Sequence, residues 1–347
     1  MKKKKILSLI RHIVLLVLLD ALLLGIVLLG FAYMHHGKDY LEAHYGNRNN
    51  NSVAVTTPAP TTTPVVTTVP DDTKSIQQEE TTPPVDNRTA WQIKFADKFT
   101  DEIVITDNSY TSPNISIHID TVSYGEGWTA VTYYVADIYV GSVDCFRTYT
   151  AHNELRKGST QTVTAMSKDS QAILGMSGDY YSIQNRAFIV RNSQSYMTLK
   201  PYNTDICVMY SNGVIETYGF YDYDVDEIMA KEPLQVWSFG PSLLDSEGKA
   251  KTEFDVKESL DAHHHPRSAL GYYEPGHYCF VVVDGREKGH SVGMYLGELA
   301  ELFEELGCTT AYNLDGGGSA SMTFQGEYYS KPSEERSIGD ILLIAEP

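Results

Sequence analysis

An α+β fold, with a mixed, strand-rich sheet and a C-terminal parallel βαβ unit, is the class this 347-residue sequence predicts. Three observations predict it. Short apolar or alternating runs recur between Gly, Asn and Asp turns over residues 115–239, the pattern of strands joined by tight connections. Helical periodicity is confined to a few short stretches. The longest helical pattern sits between two buried-type strands near the C-terminus, the arrangement of a crossover unit.

Ahead of the fold lie two segments of different texture. Lys2 to Lys5 form a basic block, and residues 13–34 are apolar apart from Asp20. That length spans a bilayer, and the positive-inside rule leaves the lysines cytoplasmic and the remainder outside. A cleaved signal peptide is the rival reading. The apolar stretch exceeds a usual signal core and lacks a small-x-small cleavage site, so an uncleaved, single-pass membrane anchor over residues 1–34 is expected. Residues 35–90 are rich in Thr, Pro, Val and Ala, a composition that buries no core and forms a disordered stalk, extended where proline dominates. Residues 91–347 then constitute one extracellular domain.

Within it, residues 115–122, 129–140, 187–191, 205–210, 214–218 and 234–239 read as strands. Helices are expected over about 167–174, stopped by Gly175, and over 225–230. Residues 278–283 (Tyr-Cys-Phe-Val-Val-Val) form an unbroken β-branched run, as in a strand buried on both faces. A helix follows from about 292 to 306, with Leu296, Leu299, Phe303 and Leu306 on one face and Gly307 as its stop. The next strand, 310–314, delivers Asn313-Leu314-Asp315-Gly316-Gly317-Gly318-Ser319. If the two strands are parallel neighbours, this loop and Asp284-Gly285-Arg286 share the carboxyl rim of one sheet, where open α/β sheets hold ligands. Three consecutive glycines permit close approach to the main chain, and a row of loop N–H groups suits phosphate.

Composition restricts the partners. With 27 basic against 45 acidic residues the chain carries −18, so bulk attraction to nucleic acid is excluded, and any phosphate must be held by a few placed arginines. Cys145, Cys207, Cys279 and Cys308 show neither a disulfide framework nor a metal pair. Cys279 and Cys308 read as small core residues. His263-His264-His265 reads as a solvated loop. Gly289-His290-Ser291-Val292-Gly293 matches a nucleophile elbow, but no histidine follows Ser291 in the chain to complete a hydrolase triad. Ser291 is therefore expected as a helix N-cap or a substrate hydrogen-bond partner. Oligomeric state has no signature here.

Several pieces in order, Tyr134 to Ile138, Gly178 to Tyr181, Phe239-Gly240-Pro241, Pro266 to Ala269, Val283 to Arg286, the glycine run and Glu335-Arg336-Ser337, resemble the phosphodiester glycosidase family over residues 120–345. The resemblance implies hydrolysis of a sugar-1-phosphodiester of N-acetylglucosamine type at the anomeric carbon–oxygen bond; the expected stalk and anchor point to a surface glycan or wall polymer as its carrier. It implies catalytic roles among Asp315, Asp179 and Asp284, and substrate or phosphate binding by Arg267, Arg286, Asn313, Gly316, Gly317, Gly318, Ser319, Ser291 and Arg336. Arg336 has the alternative of tying the last strand to the sheet. No ligand spacing demands a metal cofactor, and a divalent ion bridging Asp315 and phosphate is left open. Two positions depart from the family pattern: Ser177 stands where Asn is common, and His265-Pro266-Arg267-Ser268 where Asn-Pro-Arg-Thr is common. Other readings are a non-catalytic sugar-phosphate-binding module in exopolysaccharide assembly, and a phosphodiesterase cutting on the other side of phosphorus.

Overall fold

The computed structural model describes residues 86–347. The expected membrane anchor and stalk, residues 1–34 and most of 35–90, lie outside the described residues. Among the described residues no helix is long and apolar enough to cross a membrane.

Three sheets carry the domain. The largest has seven strands in the order β1 (Val104–Ile105), β2 (Ser109–Thr111), β3 (Ile115–Tyr124), β4 (Val131–Val140), β14 (His277–Val283), β13 (Arg267–Glu274) and β15 (Thr310–Asn313). The second runs β11 (Ile215–Tyr218), β10 (Ile206–Tyr210), β12 (Pro233–Trp237), β8 (Phe188–Arg191) and β9 (Gln194–Thr198). The third runs β17 (Glu327–Tyr328), β16 (Met322–Phe324), β7 (Leu174–Ser177), β19 (Asp340–Ile344) and β5 (Phe146–Thr150), and β6 (Gln161–Thr162) pairs separately with β18 (Ser337–Ile338).

Alternation along β14 shows how the layers meet. Cys279, Val281 and Val283 face one cluster with Leu299 and Phe303 of the helix Leu296–Glu305, whereas Phe280 and Val282 face another with Phe146, Met176, Trp237 and Leu342 from the other sheets. Both faces are buried, which explains the unbroken apolar run. The helix presents Leu296, Leu299, Ala300, Leu302 and Phe303 to the sheet, and Gly307 ends it at φ +79°, as its sequence position implies.

Three expectations are corrected. Every strand pairing registered among the described residues is antiparallel, so the sheet is not mixed. β14 and β15 do point the same way, but β13 lies between them, paired antiparallel to each. The 267–274 segment hairpins into β14 through Gly276 at φ +90°, and β15 adds to its free edge. Second, the helix near 170 spans Val163–Asp169, and residues 174–177 form β7. Gln171 at φ +56° ends that helix. Gly175 is a packing glycine, because a Cβ there would sit 2.6 Å from both Ser167 Oγ and Thr323 Oγ1. Third, the last helix starts at Leu296. Backbone groups of residues 292–294 are committed to sheet-like bonds, Val292 N to Ala130 O and Met294 N to His265 O, which denies them helical partners.

Candidate active site

The rim predicted from sequence exists, although β13 was not foreseen in it. Arg267 at the start of β13 is opposite Val283 at the end of β14, and Ala269 opposite Asn313 at the end of β15. Asp315 N donates to Gly178 O and Gly178 N to Asp340 O, both 3.0 Å, which brings the ends of β7, β15 and β19 together.

Asp315 is half-buried. Burial pushes its carboxyl up to about 6, against the pull of the Ser319 hydroxyl and the Arg336 guanidinium, with Asp179 adding to the rise. A carboxyl near neutrality, partly open to solvent, suits proton transfer or attack on an electrophile.

Asp179 lies close by but faces inward. It is 1 % exposed; Oδ1 accepts from Tyr181 N and lies 2.8 Å from Arg191 Nη2, and Oδ2 accepts from Ser238 N. Arg191 Nε also donates to Asp340 Oδ2 at 2.6 Å, and the guanidinium lies over the rings of Tyr181 and Trp237. Burial by itself lowers the Arg191 pKa, but the Asp179 and Asp340 carboxylates raise it further, so it stays charged. Burial pushes the Asp340 carboxyl up while Arg191 pulls it down. Gly178 is required beside this cluster, since a Cβ would lie 2.3 Å from Asp340 Oδ1. Arg191 and Asp340 escaped sequence reasoning: neither belongs to a local motif, and 149 residues separate them.

Asp284 is likewise saturated. Oδ2 accepts from Tyr134 Oη at 2.9 Å and lies 2.7 Å from His290 Nε2, and Oδ1 accepts from Lys331 N. Burial raises its pKa, and these partners oppose the rise. Asp284 thus orients the partly exposed His290, a residue missed because it was read only as part of a failed nucleophile motif. Ser291 is neither an N-cap nor a rim group. It is fully buried, its Oγ donating to Asp284 O and accepting from Thr132 N; Tyr295 is the N-cap. Arg267 is buried too, with Nε on Met294 O and Nη2 on Leu260 O. Its pKa falls to about 10 through burial. Its guanidinium ties a loop and a short helix to β13.

Part of the expected row of donors is engaged within the fold: Asp315 N, Gly317 N, Ser319 N and Ala320 N bond protein carbonyls. The glycines also give room. A Cβ at Gly316 would meet Pro266 O at 2.6 Å, at Gly317 Arg286 Nη2 at 2.8 Å, and at Gly318 Glu334 Oε1 at 1.8 Å. Arg286 holds φ +63°, unusual for a side chain of its size, and it meets Arg336 across Glu334: Oε1 lies 3.3 Å from Arg286 Nη1 and 2.6 Å from Arg336 Nη2. Asn313 Nδ2 is tied to Gly240 O, and its Oδ1 is buried without a hydrogen bond. The two departures from the family pattern touch each other, Ser177 Oγ and Ser268 Oγ being 2.8 Å apart. Tyr180 stands partly exposed with its ring edge-on to Phe239. Among the described residues no group of three or more His, Cys, Asp or Glu side chains is arranged to hold a metal ion.

Fold and rim together define a class: a strand-rich α+β domain that sets an ionisable acid within electrostatic reach of Arg336, which shares Glu334 with Arg286. Residues 170–345 match the phosphodiester glycosidase family, and the chain belongs to it. It is similar to the SPbeta prophage-derived uncharacterized protein YomE of Bacillus subtilis (strain 168), 30% identical over 145 residues, which is 41% of this chain and 22% of that protein. The chain therefore spans about a fifth of the curated relative it matches. Its fold is similar to that of the zebrafish N-acetylglucosamine-1-phosphodiester alpha-N-acetylglucosaminidase catalytic domain auto-inhibited by pro-peptide. That match has TM-score 0.55 at 19% identity, over 71% of this chain and 88% of that one.

Proposed function

We propose that this domain hydrolyses a sugar-1-phosphodiester, with N-acetylglucosamine as the expected sugar, at the anomeric carbon–oxygen bond. The observation that carries the reading is Asp315, a rim carboxyl raised to about 6 beside Arg336 and the glycine loop. Arg286 and Arg336 take the phosphodiester and stabilise the charge that gathers on it as the bond breaks. Asp315 accepts a proton from water as the water oxygen bonds to the anomeric carbon; the electron pair of the broken bond leaves on the phosphate oxygen. Phosphate leaves well, so one rim carboxylate suffices where an ordinary glycoside needs a second as acid. Tyr180 and Phe239 supply aromatic surface for the sugar ring.

The amino-terminal apolar segment and Thr/Pro stretch support a membrane-anchored, extracellular setting, and hence a phosphate-containing surface glycan or wall polymer as substrate. A second reading is a non-catalytic sugar-phosphate-binding module, favoured by the complete engagement of Asp179 and Asp284 inside the fold. Incubation with N-acetylglucosamine-1-phospho-methyl, with products identified by mass and NMR, separates these. Free N-acetylglucosamine supports the hydrolase; sugar 1-phosphate moves the cut to the other side of phosphorus; binding without turnover leaves the module.

A further inference from the structure

Resting on that reading, we infer that Glu334 occupies the substrate-phosphate position in the free protein and acts as an internal competitor that sets anion affinity. One oxygen of Glu334 serves both Arg286 and Arg336, at 3.3 and 2.6 Å. It reaches them only because residue 318 is glycine: a Cβ there would overlap that oxygen at 1.8 Å. Two guanidinium groups converge on one carboxylate, and each planar fork has donors that one shared oxygen cannot fill. A phosphodiester offers both non-bridging oxygens, one to each arginine. All three side chains are about half exposed, Arg286 and Arg336 at 46% and Glu334 at 47%. The resident pairing is therefore weak, and the Glu334 side chain swings into water when phosphate enters. The strained backbone at Arg286 fits this role, since it aims that side chain across the glycine loop.

Calorimetric titration of inorganic phosphate into the full chain tests the inference, with Glu334→Gln and Glu334→Gln/Arg286→Gln alongside wild type at one ionic strength. Glu334→Gln is expected to tighten phosphate binding by about five- to tenfold and to lower the KM for N-acetylglucosamine-1-phospho-methyl; the double variant loses the gain. Unchanged phosphate affinity in Glu334→Gln overturns the inference, as does loss of turnover at wild-type phosphate affinity, which makes Glu334 a catalytic group. If no variant turns over substrate but Glu334→Gln still tightens phosphate, the hydrolase reading falls and the competitor stands.

A separate observation in the core carries a second inference. Cys279 and Cys308 Sγ atoms lie 3.7 Å apart, both buried. They meet above Gly271 of the intervening strand, where a Cβ would come within 2.5 and 2.8 Å of the two sulfurs. The geometry points to a disulfide site that closes when the chain folds in an oxidising medium, the sulfurs moving to about 2.05 Å. One thiolate attacks a small-molecule disulfide such as oxidised glutathione. The second then displaces the bound thiolate, two protons leave, and the oxidant ends as two thiols. Both sulfurs are buried in the folded domain, out of reach of a soluble disulfide, so exchange precedes closure of the sheet. Refolding the full chain in a glutathione redox buffer, followed by alkylation and non-reducing peptide mapping, is expected to show a linked Cys279–Cys308 peptide with Cys145 and Cys207 alkylated. Four alkylated cysteines, or any other pairing, overturn it.

Discussion

Two clusters of carboxylate and guanidinium lie close together in this molecule and have opposite characters. In the first, Arg191 bridges Asp179 and Asp340 with all three groups at most 2% exposed. In the second, Arg286 and Arg336 share Glu334 with all three about half exposed. The same chemistry does different work according to solvent. Buried charges are held at fixed positions because removing one partner strands another in low dielectric. Charges at the rim exchange partners at little cost, since water competes with every contact. The first cluster therefore sets the ends of β7 and β19, and the second is open to solvent. Asp315 stands between them, reached electrostatically by Asp179 and Arg336 alike.

The sharpest way to break this contrast is Arg191→Met, which leaves two buried carboxylates without a cation. It should cost about 3–5 kcal/mol of stability in urea unfolding; a loss below about 1 kcal/mol would show that the buried cluster is not a structural tie. Asp315→Asn should instead leave the fold intact and lower kcat by about 10²–10⁴-fold, whereas Asp179→Asn should act mainly through stability.

The pH profile sharpens the same division. With Asp315 as base, kcat/KM for N-acetylglucosamine-1-phospho-methyl should rise through pH about 6 to a plateau. Its folded pKa lies above the unfolded value, so its contribution to stability is fully present below pH about 4 and is lost as pH rises through 6. Asp315→Asn should flatten that slope and stabilise the protein by roughly 1–2 kcal/mol at pH 7, read from unfolding midpoints between pH 4 and 7. The smallest effect belongs to Ser291→Ala: about 1–2 kcal/mol of stability from a lost buried hydrogen bond, with KM unchanged. A raised KM would return Ser291 to the rim.

Much of this architecture was legible where the cause is local. The alternating run at 115–122 and the unbroken apolar run at 278–283 became strands because neither pattern needs a distant partner to be recognised. Gly307 ended its helix for the same reason. The rim motifs Asp284-Gly285-Arg286 and Asp315 to Ser319 were correctly brought to one edge. What failed was non-local. Residues 267–274 were not recognised as a strand, so β13 was missing from between β14 and β15 and the sheet was taken as mixed. Gly175 was read as a helix stop when its reason is the hydroxyls of Ser167 and Thr323. Arg267 and Ser291 were read as ligand groups, but their bonds to Met294 O and Asp284 O turn them inward.

By itself the sequence determined the strand-rich α+β class and the motifs of the rim, because these reside in periodicity and short spacing, and the family through the resemblance those motifs carry. Only the tertiary structure decided which acids are free. Asp179 is claimed by Ser238, 59 residues away, Asp284 by Tyr134, 150 residues away, and Asp340 by Arg191, 149 residues away. Which partners reach a carboxylate, and from how far along the chain, is a property of packing that no short stretch of chain encodes.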